Sequence, residues 1–158
     1  VLFATDPSGL GITTGGYGLL LAAMAGGGIL GGLVAAAVIR HLGDRMTVVA
    51  GLGVEIVGWL ALSVTHQPVL AGALLALLWI SFSVLSVVIM GSRQRQTPAD
   101  LLGRVISAFR IVGNGTSPVG ALAAGIAATW WGLRAPMLVA AATLAVAVVL
   151  ALRGFRRW

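Results

Sequence analysis

The strongest constraint on this chain is the length of its uncharged apolar runs. Tyr17 to Ile39 contains no charged residue, Val69 to Met90 contains none, and Ala135 to Leu152 contains none. About 20 helical residues cross a hydrocarbon core of roughly 30 Å, so apolar runs of about 18 or more read as membrane spans. Inside lipid every backbone N–H and C=O must be paired within the spanning structure, which makes these runs helices and not open strands. The surface argument agrees. Charged residues are 9% of the chain and mean hydropathy is +1.05, whereas a soluble domain carries roughly 25% charge. The chain reads as an integral membrane protein of the all-α class, a polytopic transmembrane helix bundle of about five spans.

The spans fall at about 17–39, 47–65, 69–90, 104–128 and 135–152, within a single transmembrane domain covering 1–158, and 153–158 are left as a tail. The linkers "RHLGDRM", "THQP", "GSRQRQTPADLLG" and "WWGLR" are short. Consecutive helices therefore run up and down as neighbours. The arginines then sort to one side. Arg40 and Arg45 lie between the first two spans, Arg93, Arg95 and Arg104 between the third and fourth, and Arg153, Arg156 and Arg157 after the fifth. The other side holds Arg134, Asp6 and His66. Basic residues in short loops mark the cytoplasmic face, so a multi-pass protein of a cytoplasmic membrane is expected, with its C-terminus inside. Tyr17, Trp130 and Trp131 fall at the outer boundary, where amphipathic rings are favoured.

The same asymmetry accounts for the net charge of +6 without a nucleic-acid partner. Cysteine is absent, which excludes disulfides and thiolate metal sites. His41 and His66 belong to opposite faces and cannot share a metal. Neither a metal nor another cofactor is expected, and no constellation of acidic or histidine residues proposes an enzyme's reaction centre. The opening "VLFATDPSGLG" lacks the basic n-region of a secretory signal and an initiator methionine, so the chain reads as starting within a longer protein. In the third linker, Thr97, Pro98 and Asp100 have the spacing of a capping box, which predicts a short helix leading into the fourth span. Asp100 and Arg104 are four apart and can pair along it.

Three stretches resemble the C-terminal half of a major facilitator superfamily transporter, within the bacterial efflux branch that includes the enterobactin exporters. "GITTGGYGLLLAAMAGGGILGGLVA" is similar to the approach to that family's eighth helix. "HLGDR" is similar to its acidic-basic motif between helices eight and nine, where Asp44 and Arg45 match. Arg40 stands where the family has glycine, and "MTVV" departs from its continuation. "QRQTPADLLGRVISAFRIVGNGTSPVGALAAGIAATWWGLRAPMLVAAATL" is similar to the tenth-to-eleventh loop, the eleventh helix and the start of the twelfth. The resemblance implies a partial six-helix half, with "VLFA" as the tail of a seventh helix. It also implies a bacterial membrane, proton coupling, a small amphipathic substrate and a missing N-terminal half as partner.

Four groups are candidates for that work. Glu55 lies mid-span, where a charge costs roughly 2.5–3.5 kcal/mol on insertion scales. It is either a proton-coupling carboxylate or cation contact, or a neutral carboxyl hydrogen-bonded to a neighbouring helix. Arg110 either faces a cavity, binding an anionic group or closing an inner gate, or snorkels to the headgroups. Asn114 and Ser117 share a face beside Pro118, whose missing N–H leaves the Asn114 carbonyl available. That arrangement suits a broken helix lining a transport site or a plain kink. Asp44, Arg45 and Arg104 form a cytoplasmic gate cluster, or they only set topology. Gly27 with Gly31 and Gly28 with Gly32 have the small-xxx-small spacing that lets helix backbones approach closely. Trp79, Ser81, Ser83 and Ser86 read as core. A small membrane assembly or regulatory subunit without transport activity is the alternative reading.

Overall fold

A computed structural model describes the backbone of residues 2–7, 9–98 and 100–155, and the side chains of 3–7, 9–98 and 100–149. Among the described residues there are five helices and no strand: α1 (Leu2–Thr5), α2 (Thr14–Val64), α3 (Pro68–Gln96), α4 (Leu102–Trp131) and α5 (Ala135–Phe155). Three of them, α2, α3 and α4, are long and apolar enough to cross a membrane, and Ala135–Val149 of α5 is a shorter apolar helix.

The helix ends follow local chemistry. Thr13 opens α2 by accepting a hydrogen bond from the Gly16 amide at 3.2 Å, which satisfies one of the donors a first turn leaves orphaned. Thr65 turns extended and ends it. Pro68 then starts α3, where a missing N–H and a fixed φ suit the first turn. Gly132, at φ 88°, supplies the left-handed conformation that ends α4.

α2 does not run straight for its whole length. Gly43 sits at φ 75° and ψ 162°, a conformation that side chains other than hydrogen disfavour. On a straight helix Gly27 and Gly58 would be about 46 Å apart at 1.5 Å per residue. Yet Gly27 lies against Ala76 and Gly58 against Leu78, nearly the same level of α3. The chain therefore reverses at Gly43, and two antiparallel arms, residues 14–42 and 44–64, both pack on α3. The first arm presents Leu20, Gly27, Gly31 and Ala35, and the second presents Thr47, Glu55, Gly58 and Leu62. Each set recurs at three or four residues or multiples of a turn, which is one helical face. α3 answers with Ala71, Leu78, Ser81, Leu85 and Val88.

The linker read as "RHLGDRM" is thus helical except at Gly43. Its residues favour helix well enough that one glycine takes the whole turn. The capping box is also overturned. Thr97 ends α3 with extended geometry, α4 begins at Leu102 behind Leu101 without a side-chain cap, and a Leu101 N–H to Pro98 carbonyl bond of 3.0 Å closes a turn between them. α3 runs six residues past Met90 because Ser92, Arg93, Gln94, Arg95 and Gln96 continue it without a breaker before Pro98. The tail expected at 153–158 is helix to Phe155, and 156–158 lie outside the described residues.

The core sits at one end of the bundle. Ala4, Leu10, Leu20, Leu62, Ala71, Leu78 and Met137 bury one another there. Away from it, large apolar side chains such as Leu19, Ile29, Leu33, Val57 and Val69 point outward. A surface of this kind suits hydrocarbon and not water. α4 packs chiefly on α5, while α2 and α3 form the most extensive pairing.

Candidate functional site

The glycine face of α2 sets the closest approach in the bundle. An ideal Cβ at Gly27 would lie 3.0 Å from Ala76 Cα, and one at Gly31 would lie 2.5 Å from the Ile80 carbonyl oxygen. Gly28 and Gly32 flank that line, with Trp79 and Ser83 at 3.7 Å from the same constructed position. Only Gly27 and Gly31 are therefore required by contact with the neighbouring backbone. On the second arm, Ser81 donates to the Gly51 carbonyl at 3.1 Å, a direct tie from α3.

Glu55 lies between Gly51 and Gly58, on the face that meets α3, and is buried. Trp59, one turn on, donates its indole N–H to Glu55 Oε2 at 3.2 Å. Oε1 is buried without a hydrogen-bond partner among the described residues. A polar atom left this way costs about 1–3 kcal/mol, so it stands out in a structure where such atoms are normally paired.

α4 carries the other candidates on one stripe. Arg110, Asn114 and Ser117 are spaced four and three apart, and all three are exposed. Only Ala127 of α4 is buried. Pro118 does not break the helix, which is continuous from Leu102 to Trp131. Thr116 instead bonds back to the Gly113 carbonyl at 3.0 Å. Arg110 and Asn114 line a groove of about 230 Å³ with Met90, Arg93 and Phe109 between the ends of α3 and α4. The Arg93 guanidinium stacks 3.7 Å above the Phe109 ring centre, an arrangement that joins the two helices through a cation and the negative face of a ring.

At the arginine-rich end Arg95 forms an exposed ion pair with Asp44. It ties the last turn of α3 to the start of the second α2 arm. Asp44 pairs there with Arg95 and not with Arg104, which is exposed on the first turn of α4, while Arg45 lies beside Asp44 on a larger groove. No ion pair joins Asp100 to Arg104 among the described residues. Arg95 takes the role because α3 extends to Gln96 and carries it alongside.

No family model, curated protein or solved structure matches this chain. Glu55 does not line the groove that holds Arg110 and Asn114, so the candidates form two separate places: one inside the α2–α3 interface, one along α4.

Four contributors escaped the sequence reading. Trp59 was detectable as the i+4 neighbour of Glu55. Arg93 and Arg95 were seen as topology charges, and their partners Phe109 and Asp44 lie far away in sequence. Arg134 was the least visible. Its guanidinium donates to the carbonyls of Ser63 at 2.7 Å, Thr65 at 2.8 Å and Gly9 at 3.4 Å, and its charge lies 5.6 Å from the Phe3 ring centre. It thereby caps the end of α2 and pins the N-terminal segment to the start of α5. No local signal announces partners separated by that much chain.

Proposed function

We propose that this chain is the C-terminal half of a secondary-active major facilitator efflux transporter for small amphipathic molecules, in a bacterial cytoplasmic membrane with its C-terminus inside. The observation that carries the reading is the α4 stripe. Arg110, Asn114 and Ser117 are exposed along one face of a helix that is barely buried. Ionisable and polar residues in a spanning helix face a bundle interior or a water-filled path, because hydrocarbon solvates them poorly. A stripe of this kind supports a pathway shared with a further helical half.

In this reading, two halves rock about a midplane site to give alternating access. Arg110 and Asn114 meet the polar part of the substrate, and the paired Asp44 and Arg95 hold the inner ends of α2 and α3 together until the halves part. Glu55 is the coupling carboxylate, with Trp59 fixing one oxygen and the other left for a proton.

The test is the DNA immediately upstream of the codon for Val1. About seven further in-frame apolar spans are expected. A start codon behind a ribosome-binding site sinks the reading in favour of a small assembly or regulatory subunit. In proteoliposomes the longer product accumulates a fluorescent amphiphile on a pH gradient, and the 158-residue chain alone does not.

A further inference from the structure

The groove of about 230 Å³ between the ends of α3 and α4 carries charge of one sign. Arg93 from α3 and Arg110 from α4 line it beside Asn114, and no acidic residue does. Met90 and Phe109 give it an apolar wall, and Gly113 leaves it open on the α4 side. Arg93 has a ring neighbour in Phe109. Arg110 and the Asn114 side chain have no ion pair, hydrogen bond or ring contact among the described residues.

The chain's four acidic residues are placed elsewhere. Asp44 pairs with Arg95, and Glu55 lies in the α2–α3 interface with Trp59. Asp6 belongs to the N-terminal segment that Arg134 ties to the end of α2. Asp100 precedes α4, and Arg110 stands about 12 Å along that helix from Leu102. A cation on a spanning helix is costly without a counter-charge, so the one for Arg110 comes from outside these elements.

We infer that this groove binds the oxyanion of a small aromatic amphiphile, a carboxylate or sulfonate held at Arg110 and Asn114 with its ring against Met90 and Phe109. A charged donor and an amide one turn apart suit an oxyanion, because hydrogen bonds to ionised groups are the strong ones. The all-positive lining disfavours a cation. The volume lies below the roughly 300–1,000 Å³ of drug-sized sites, which limits the ligand to a small ring system. The inference rests on the transporter reading only in making this anion the transported class; the binding step belongs to the chain itself.

The experiment is isothermal titration calorimetry of the 158-residue chain in dodecyl maltoside with naphthoate, naphthamide and naphthylmethylammonium. The three share a ring, and heats from protein-free micelles are subtracted. Naphthoate binds roughly 10-fold more tightly than naphthamide, the effect of one charge-assisted hydrogen bond, and the ammonium compound does not bind. R110Q removes the preference, R110K keeps part of it, and R40Q, which removes a cation away from the groove, leaves it unchanged. G113L fills the groove from a position where a Cβ meets nothing within 4 Å, so it spares the helix packing and lowers binding of both naphthoate and naphthamide. Far-UV circular dichroism confirms folding, and G113L decides the matter if R110Q does not fold. Equal affinity for naphthoate and naphthamide, a preference that survives R110Q, or undiminished binding in G113L overturns the proposal. So does loss of naphthoate binding on adding dioleoyl phosphatidylglycerol but not dioleoyl phosphatidylcholine, because Arg110 then serves a lipid headgroup. In the longer transporter the preference persists; its loss there assigns Arg110 to a carboxylate of the other half and also overturns the proposal. A start codon upstream of Val1 with the preference intact removes the transporter and keeps the anion site, whereas seven upstream spans without the preference do the reverse.

Discussion

Alanine at Gly31 places a methyl group where an ideal Cβ lies 2.5 Å from the Ile80 carbonyl oxygen and 2.8 Å from Ser83 Cβ. The nearest obstacle is backbone, so relief means displacing α3 and not merely turning a side chain. Overpacking of this kind costs about 1–3 kcal/mol. Against it stands the better helix propensity of alanine, at most about 1 kcal/mol. Alanine at Gly32 gains the same propensity but meets Ser83 Oγ at 3.7 Å, an ordinary contact. The difference between G31A and G32A therefore isolates the steric cost, with G31A less stable by about 1–3 kcal/mol. Unfolding by dodecyl sulfate in mixed micelles, followed by far-UV circular dichroism, reads that difference directly. G27A against G28A repeats the test one turn away, with Ala76 Cα at 3.0 Å in one case and the Trp79 ring at 3.7 Å in the other. Equal midpoints within both pairs refute the packing of the first α2 arm on α3.

Three further outcomes can be checked. R134Q removes the charge that holds the Ser63 and Thr65 carbonyls; hydrogen bonds to charged groups contribute about 1.5–3 kcal/mol, so a loss of about 2 kcal/mol is expected in the same unfolding assay. S81A deletes the tie to the Gly51 carbonyl and lowers stability by about 0.6 kcal/mol, the average for such bonds between membrane helices; a loss above about 2 kcal/mol contradicts that role. E55Q keeps an acceptor for the Trp59 indole and changes stability by less than about 1 kcal/mol, yet abolishes gradient-driven efflux in the longer transporter; unimpaired efflux leaves Glu55 a packing residue only.

Much of the bundle could be read from the chain, because lipid restricts the choices. Apolar runs have to be helices, and the limits expected for α5 and α3 begin within a residue of those observed. The arginines expected on one side, Arg45, Arg93 and Arg95, do lie together at one end of α2 and α3. What escaped the reading depended on one residue or on distant pairs. Nothing in "RHLGDRM" distinguished a loop from two helices meeting at Gly43, since His41, Leu42, Asp44 and Arg45 accept helical geometry and the turn costs only one positive φ. The capping-box spacing at Thr97 was real, but α3 outran its apolar run and took Thr97 as its end. At the candidate site, the Arg110, Asn114 and Ser117 stripe was legible from helical spacing alone. The burial of Glu55 on the α3-facing side was not, because the relevant glycines mark a contact face only when the neighbour is known. The Arg134 clamp and the Arg95 to Asp44 pair join segments that sequence proximity cannot connect.

The central claim is that α2 reverses at Gly43, so that the arginine-rich ends share one face. The chain has no cysteine, so single cysteines at His41, His66, Thr97 and Gly132 report position without interference. Intact cells are treated with a membrane-impermeant maleimide before and after permeabilisation. The expected result is labelling of the 66 and 132 positions in intact cells, and of the 41 and 97 positions only once the membrane is opened. Labelling of 41 and 66 from the same side contradicts the reversal and the topology built on it.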